Sequence, residues 1–245
     1  MKQEEKSRRI RERVALKIPV RVRGYDGVGY EWSEMSRLLD VTPFGARLSL
    51  TRPTEPGRLL QLTLAMPRAL RCFDHVEDQY RVWSLVRNVK LLPPSESSRA
   101  LIEVGMAFVG KHVPASFRSD PTQRYKITNT KEKSGLWAVR EEDAESVIDM
   151  RRESRHTIPI EVSIEVVGEE GEDPLGEKTV TENISRGGAT VFTSLKIEPG
   201  RFVRMTSEHH NISVIAAVRG RRAGPDGIPR LHLEFVAGEW PLGFE

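Results

Sequence analysis

Two short sets of residues recur in this chain with spacings that suit a small, flat, anionic ligand. The first is a pair of arginines four apart, Arg9/Arg13 and Arg151/Arg155. The second is the pattern Asp/Asn-x-Ser/Thr-x-x-Gly, at Asp40–Gly45 and Asn183–Gly188. Each set occurs only twice, and the two come paired: Arg13 to Asp40 is 27 residues and Arg155 to Asn183 is 28. Two guanidinium groups bring a row of N–H donors and two planar cations, which suit phosphate oxygens and the face of a purine. A short Asp or Asn side chain can pair with the polar edge of guanine. The neighbouring hydroxyl adds a donor and an acceptor, and glycine lets backbone approach a ligand closely. Either pattern alone also describes something ordinary, a solvated basic run or a capped turn between strands. Both together, twice and in register, point to a ligand site.

The elements that must hold these residues read as strands. Apolar residues alternate at Val20/Val22, Leu48/Leu50, Leu60/Leu62/Leu64, Val82 to Val86 and Ile160/Val162/Ile164/Val166. Short period-two runs punctuated by Pro56-Gly57, Pro199-Gly200 and Pro225-Asp226-Gly227 predict antiparallel barrels or sandwiches. The chain also repeats itself. Pro56-Gly57-Arg58 returns as Pro199-Gly200-Arg201 at an offset of 143, the same as for the Gly-containing motif. Ile18-Pro19-Val20 matches Ile158-Pro159-Ile160, and Phe108 matches Phe235 at 127. The shrinking offset puts an enlarged loop at 66–80 of the first copy. Residues 115–148 are expected to be a polar, poorly packed linker with a short helix near 139–150, where Val139, Ala144, Val147 and Ile148 could share a face. The expected division is therefore 1–114, a linker at 115–148, and 149–245.

Composition bounds the function. The chain has 245 residues, 38% hydrophobic and 30% charged, enough apolar material for packed cores. Arginine supplies 28 of the 38 basic side chains, and residues 1–23 carry nine basic and three acidic ones. That stretch cannot bury enough surface to order by itself, so residues 1–13 are expected to order on ligand. No apolar run is long enough to span a membrane as a helix. The charged start does not read as an export signal. With Cys72 as the single cysteine, an internal disulfide and a cysteine zinc site are excluded, and a cytoplasmic location is expected. No metal site is expected. Adjacent His209 and His210 would point to opposite faces of a strand and so form no site together, and they read as a surface loop or edge; His75 near Asp74, Glu77 and Asp78 reads as loop. Glu141, Glu142 and Asp143 read as acids opening a helix. Trp137 is either an exposed linker aromatic or a plug between domains. No phosphate loop, Ser-His-Asp set or two-carboxylate pair is visible, so no enzyme is expected.

In these motifs the sequence resembles the PilZ family of bacterial cyclic di-GMP receptors. That family carries RxxxR before the first strand of a six-stranded barrel and D/NxSxxG between its second and third strands. The resemblance covers nearly the whole chain twice. It implies a mainly β fold of two tandem six-stranded antiparallel barrels with little helix. It implies cyclic di-GMP as ligand, held by Arg8, Arg9, Arg13, Asp40, Thr42 and Gly45 in the first copy. In the second it implies Arg151, Arg152, Arg155, Asn183, Ser185 and Gly188. Val86-Arg87 and Val218-Arg219 correspond to a pair closing a strand, and Gly105-Met106-Ala107-Phe108 to the final strand. Thr42 stands where the family usually has serine, and His232 where the final-strand glycine would be. Arg8 and Met150 precede the two arginine pairs, and that difference implies sites of different stoichiometry. Binding is expected to change the domain arrangement or the docking of an unknown protein partner. The rival readings are an adaptor with one or both sites inactive, and a nucleic-acid-binding barrel. The pI near 9.1 favours the latter, and the lack of exposed aromatics among the basic residues disfavours it.

Overall fold

In the computed structural model, two chain segments with the same hydrophobic alternation each close into a six-stranded antiparallel barrel. Residues 14–93, 101–131, 135–142, 155–167, 175–224 and 226–242 are described. The first barrel comprises β1 (Pro19–Tyr25), β2 (Glu31–Thr42), β3 (Gly45–Leu50), β4 (Leu59–Leu64), β5 (Tyr80–Leu91) and β6 (Ile102–Gly110). Its strand order is β1-β2-β3-β6-β5-β4. Next come β7 (Tyr125–Lys131) and β8 (Trp137–Glu141), a separate two-stranded sheet. The second barrel repeats the first with β9 (Glu161–Val166), β10 (Gly176–Ser185), β11 (Gly188–Phe192), β12 (Phe202–Ser207), β13 (Ile212–Ala223) and β14 (Pro229–Ala237), in the same cyclic order.

Alternation explains the barrels. In β1 and β3 every second residue is buried, and Val20, Val22, Leu48 and Leu50 are fully enclosed. A closed sheet of alternating strands places one set inside and leaves no unpaired edge. The second barrel encloses Val162, Ile164, Val191, Met205 and Leu231 in the same manner.

The two barrels share their irregularities as well. Pairing shifts between Leu38 and Asp40 in β2, and between Thr181 and Asn183 in β10. It also shifts between Val86 and Asn88 in β5, and between Val218 and Gly220 in β13. An extra residue at such a point re-aims the side chains that follow it and raises the local twist. Both copies of the Asp/Asn motif begin at one of these bulges. Val86-Arg87 and Val218-Arg219 therefore lie within long strands and do not close them.

The enlarged loop lies between β4 and β5, with one 3-10 turn at Arg68–Leu70. Buried Arg71 staples it: its guanidinium donates to the carbonyls of Met66, Asp74, Glu77 and Asp78. His75 sits in this loop beside the Arg68 carbonyl. The linker expectation needs correction. β7 and β8 pair as antiparallel strands, so Val139 is in a strand and not a helix; residues 132–134 and 143–150, including Ala144, lie outside the described residues. Phe117, Tyr125 and Leu136 are buried, the first two in a small core with Leu59, Leu85 and Val109 on the first barrel. Average polarity hid them because they are widely spaced. Glu141 ends β8, and Glu142 pairs with Arg124 and Lys126.

The barrels pack against each other. Phe202, Ile215, Ala217 and Ala237 of the second join the apolar cluster of the first. Tyr30 lies under the Arg201 guanidinium, and Phe202 under that of Arg58. At the centre is Glu55, 1% exposed. It accepts from Arg58 at 3.2 Å and from both terminal nitrogens of Arg219, with Arg124 at 3.9 Å. Arg219 also donates to Glu234 at 2.6 Å, and Arg124 reaches the same carboxylate at 3.3 Å. Burial pushes the Glu55 carboxyl up, but the three arginines outweigh it and hold it below its ordinary value. Among the described residues no helix is long and apolar enough to cross a membrane.

Candidate functional site

The Gly-containing motif occupies the end of one strand, a two-residue turn and the start of the next in both barrels. The Thr42 hydroxyl donates to the Gly45 carbonyl at 3.3 Å, and the Ser185 hydroxyl makes the same bond to Gly188 at 3.3 Å. Serine and threonine thus close the turn identically, and the extra methyl of Thr42 is accommodated. The glycines answer a close approach of strands. A Cβ on Gly45 would lie 2.3 Å from the Met106 carbonyl oxygen, and one on Gly188 2.5 Å from that of Leu233.

Asp40, just past its bulge, is buried and accepts from Arg47 Nε at 2.7 Å. Arg47 also reaches Glu103 at 2.9 Å, and the two carboxylates raise its pKa. Asn183, past the matching bulge, is half-buried and pairs across the ladder with Thr190.

The residues directly after Arg13 and Arg155 are fixed to these motifs in the same way. Val14 forms an isolated antiparallel bridge with Val41, and His156 forms one with Ile184. Each residue both donates to and accepts from its partner, at 2.8–3.0 Å. The chain is hooked to the middle of the motif directly after Arg13 and directly after Arg155. Arg155 itself is exposed, and its charge, behind burial and the charge of Arg222, helps depress the pKa of His232. Arg8, Arg9, Arg13, Arg151 and Arg152 lie outside the described residues, as does the expectation about ordering of residues 1–13.

The first motif lines a cleft of about 570 Å³. Asp40, Thr42, Phe44 and Gly45 form one side, Arg87 and Asn88 from the β5 bulge another, and Ile127 and Trp137 of the hairpin a third. That volume lies within the range of small-ligand sites. Trp137 is neither an exposed linker aromatic nor a plug between barrels; it is half-buried on the first barrel. Sequence reasoning treated Arg87 as a landmark only and missed Asn88. The signal available was the bulge, since pairing irregularities cluster beside sites.

The second copy differs at equivalent positions. Arg219, the counterpart of Arg87, is committed to Glu55 and Glu234. Gly187 replaces Phe44 and faces Val89, Lys90 and Leu91 of the first barrel across a cleft of about 500 Å³. His232 replaces Gly105, and Gly220 replaces Asn88; each pair is directly opposed across its ladder. A Cβ on Gly105 would meet Asn88 Oδ1 at 2.0 Å. The large and small partners have exchanged strands. Arg222 Nε donates to His232 Nε2 at 3.0 Å, which leaves Nδ1 as the protonated nitrogen, 3.4 Å from the Thr190 hydroxyl. We expect Gly105→His to destabilise the first barrel by about 1–3 kcal/mol through overpacking. Asn88→Gly should recover most of that loss. A denaturant double-mutant cycle with no coupling energy would contradict the exchange.

Cys72 Sγ donates to the Pro43 carbonyl at 3.3 Å, so the enlarged loop also touches the first motif turn. His209 and His210 lie exposed in the β12–β13 turn, in keeping with the surface-loop reading, with perpendicular rings 4.9 Å apart; the opposite-face argument, which holds for a strand, does not apply to them. Among the described residues no group of three His, Cys, Asp or Glu side chains could hold a metal ion.

Two closed barrels of one topology, each with the same bulges, the same motif turn and the same isolated bridge ahead of its first strand, define a tandem β-barrel protein. The PilZ domain family model matches residues 149–239, so the second barrel is a PilZ domain, and the first repeats its architecture. No curated protein matches the chain. Solved structures that resemble it include the Bacillus subtilis inhibitor of motility MotI/DgrA, at 14% identity and a TM-score of 0.28, covering 91% of this chain and 88% of that one. The Borreliella burgdorferi PlzA protein in complex with c-di-GMP gives 12% and 0.27, covering 90% and 81%. YcgR in complex with c-di-GMP, from Escherichia coli, gives 13% and 0.28, covering 89% and 76%.

Proposed function

We propose that the protein is a receptor for cyclic di-GMP with one site on each barrel, acting through protein partners and not as an enzyme. The observation that carries this reading is the hook. Val14 and His156, the residues directly after Arg13 and Arg155, are bridged to Val41 and Ile184 of the two Asp/Asn motifs. Arginines wrap the phosphates and guanine faces, while Asp40 or Asn183 takes a guanine edge. The family match over residues 149–239 supports the second site directly. Ligand at that site lies beside the interface, because Gly188 pairs with Glu234, which holds Arg219. Binding there is coupled to the arrangement of the barrels.

Calorimetry with cyclic di-GMP tests the reading. Arg151→Ala and Arg155→Ala should each weaken the second site about tenfold or more, since a charge-assisted hydrogen bond is worth about 1.5–3 kcal/mol. The fold should survive, as both residues precede β9. Affinity should fall only gently with salt, because the ligand carries two phosphates; a DNA binder releases many counterions and falls steeply. Unchanged heats in both variants, or steep salt-dependent binding to a DNA oligonucleotide, would reject it.

A further inference from the structure

The first site has a wall that the Asp/Asn motif and the arginine arm do not supply. The β7–β8 hairpin lies directly on the motif turn. Gly135, at φ +79°, has so little room that a Cβ there would come within 3.1 Å of Phe44 Cε1. Leu136 is buried in the core of the first barrel. The next residue, Trp137, packs at the edge of the small core around Phe117 and lines the cleft opposite the β5 bulge. There Arg87 is exposed, where its counterpart Arg219 is bound up in the interface.

We propose that the hairpin is part of the first site: Trp137 stacks on a purine base of the ligand, and Arg87 takes a phosphate. This rests on the reading of the first copy as a cyclic di-GMP site. The chemistry of the wall fits such a ligand. An indole presents a flat, polarisable face that matches a bicyclic base. Asp40, across the cleft, is a carboxylate that accepts from the paired N–H groups of guanine. The arrangement is specific to the first copy, since Gly187 stands where Phe44 supports the hairpin. The two sites therefore differ in base selectivity, with the stronger purine preference in the first.

The test uses the full chain carrying Arg151→Ala and Arg155→Ala, so that binding reports on the first copy. In that background Trp137→Phe keeps an aromatic ring, and Trp137→Leu keeps apolar bulk without one. Titration with cyclic di-GMP should show Trp137→Phe close to the parent and Trp137→Leu weaker by about tenfold or more. The ring-less variant should also lose its preference for cyclic di-GMP over cyclic di-UMP. Equal affinities for the Phe and Leu variants would overturn the role of Trp137 and leave the receptor reading standing. No binding of cyclic di-GMP by the parent background would overturn both for the first copy.

Discussion

Glu55→Gln is expected to destabilise the protein by about 3–5 kcal/mol, because it removes the most deeply buried anion from a cluster of three arginines. Arg58 and Arg219 both donate to this carboxylate, and its side chain is 1% exposed. An amide of the same shape can accept one such bond but cannot balance the charge. Arg219→Gln should cost less, since Arg58 still faces Glu55. The effect depends on pH. The folded pKa of Glu55 is depressed, so its contribution is fully present above the ordinary carboxylate range. It is lost as the pH falls through that range toward the folded value, and wild type should converge on the Gln variant in acid. Urea unfolding of both proteins at neutral and acidic pH measures this. An unchanged midpoint at neutral pH would mean that the carboxylate does not hold the arginines.

Substituting the motif glycines should unsettle the fold with no ligand present. Gly45→Ala sets a methyl against the Met106 carbonyl, and Gly188→Ala sets one against that of Leu233. Both obstacles are backbone atoms of the neighbouring strand, so no side chain can swing aside. The strand pairs β3–β6 and β11–β14 must open where they are otherwise regular. We expect a loss of about 1–3 kcal/mol for each, as for other overpacked sites, and more for valine. Ligand-free thermal unfolding separates this from a binding effect. Wild-type stability in the Ala variants would show that the close strand approach does not require these glycines.

The barrels were legible because alternation at Val20/Val22 or Ile160/Val162 states which face is inside. The twofold repeat was legible because turns such as Pro56-Gly57 and Pro199-Gly200 are spelled alike. The hairpin was not. Its buried residues, Tyr125 and Leu136, stand among Lys, Thr and Asn, and they pack on the outside of a barrel that has its own core. Arg87 and Asn88 were not legible, because a bulge brings them to the cleft and bulges leave no mark in composition. The diversion of Arg219 to Glu55 was equally hidden, since 164 positions separate the partners.

The hooks at Val14 and His156 bear on how binding strength is divided between contact and tether. Arg13 and Arg155 each lie one residue from a point fixed on the motif strand, so their Cα atoms stay within 3.8 Å of it by covalent geometry. Arg9 and Arg151 lie five residues out, within about 18 Å. A ligand held on the turn, as proposed, would meet the guanidinium groups at an effective concentration of order millimolar, whatever path the arm takes. In the proposed receptor each arm would act as the second half of a bivalent grip, the turn being the first. On that proposal the arginines would add affinity as intramolecular partners, without the loss of free translation that a separate basic peptide would incur.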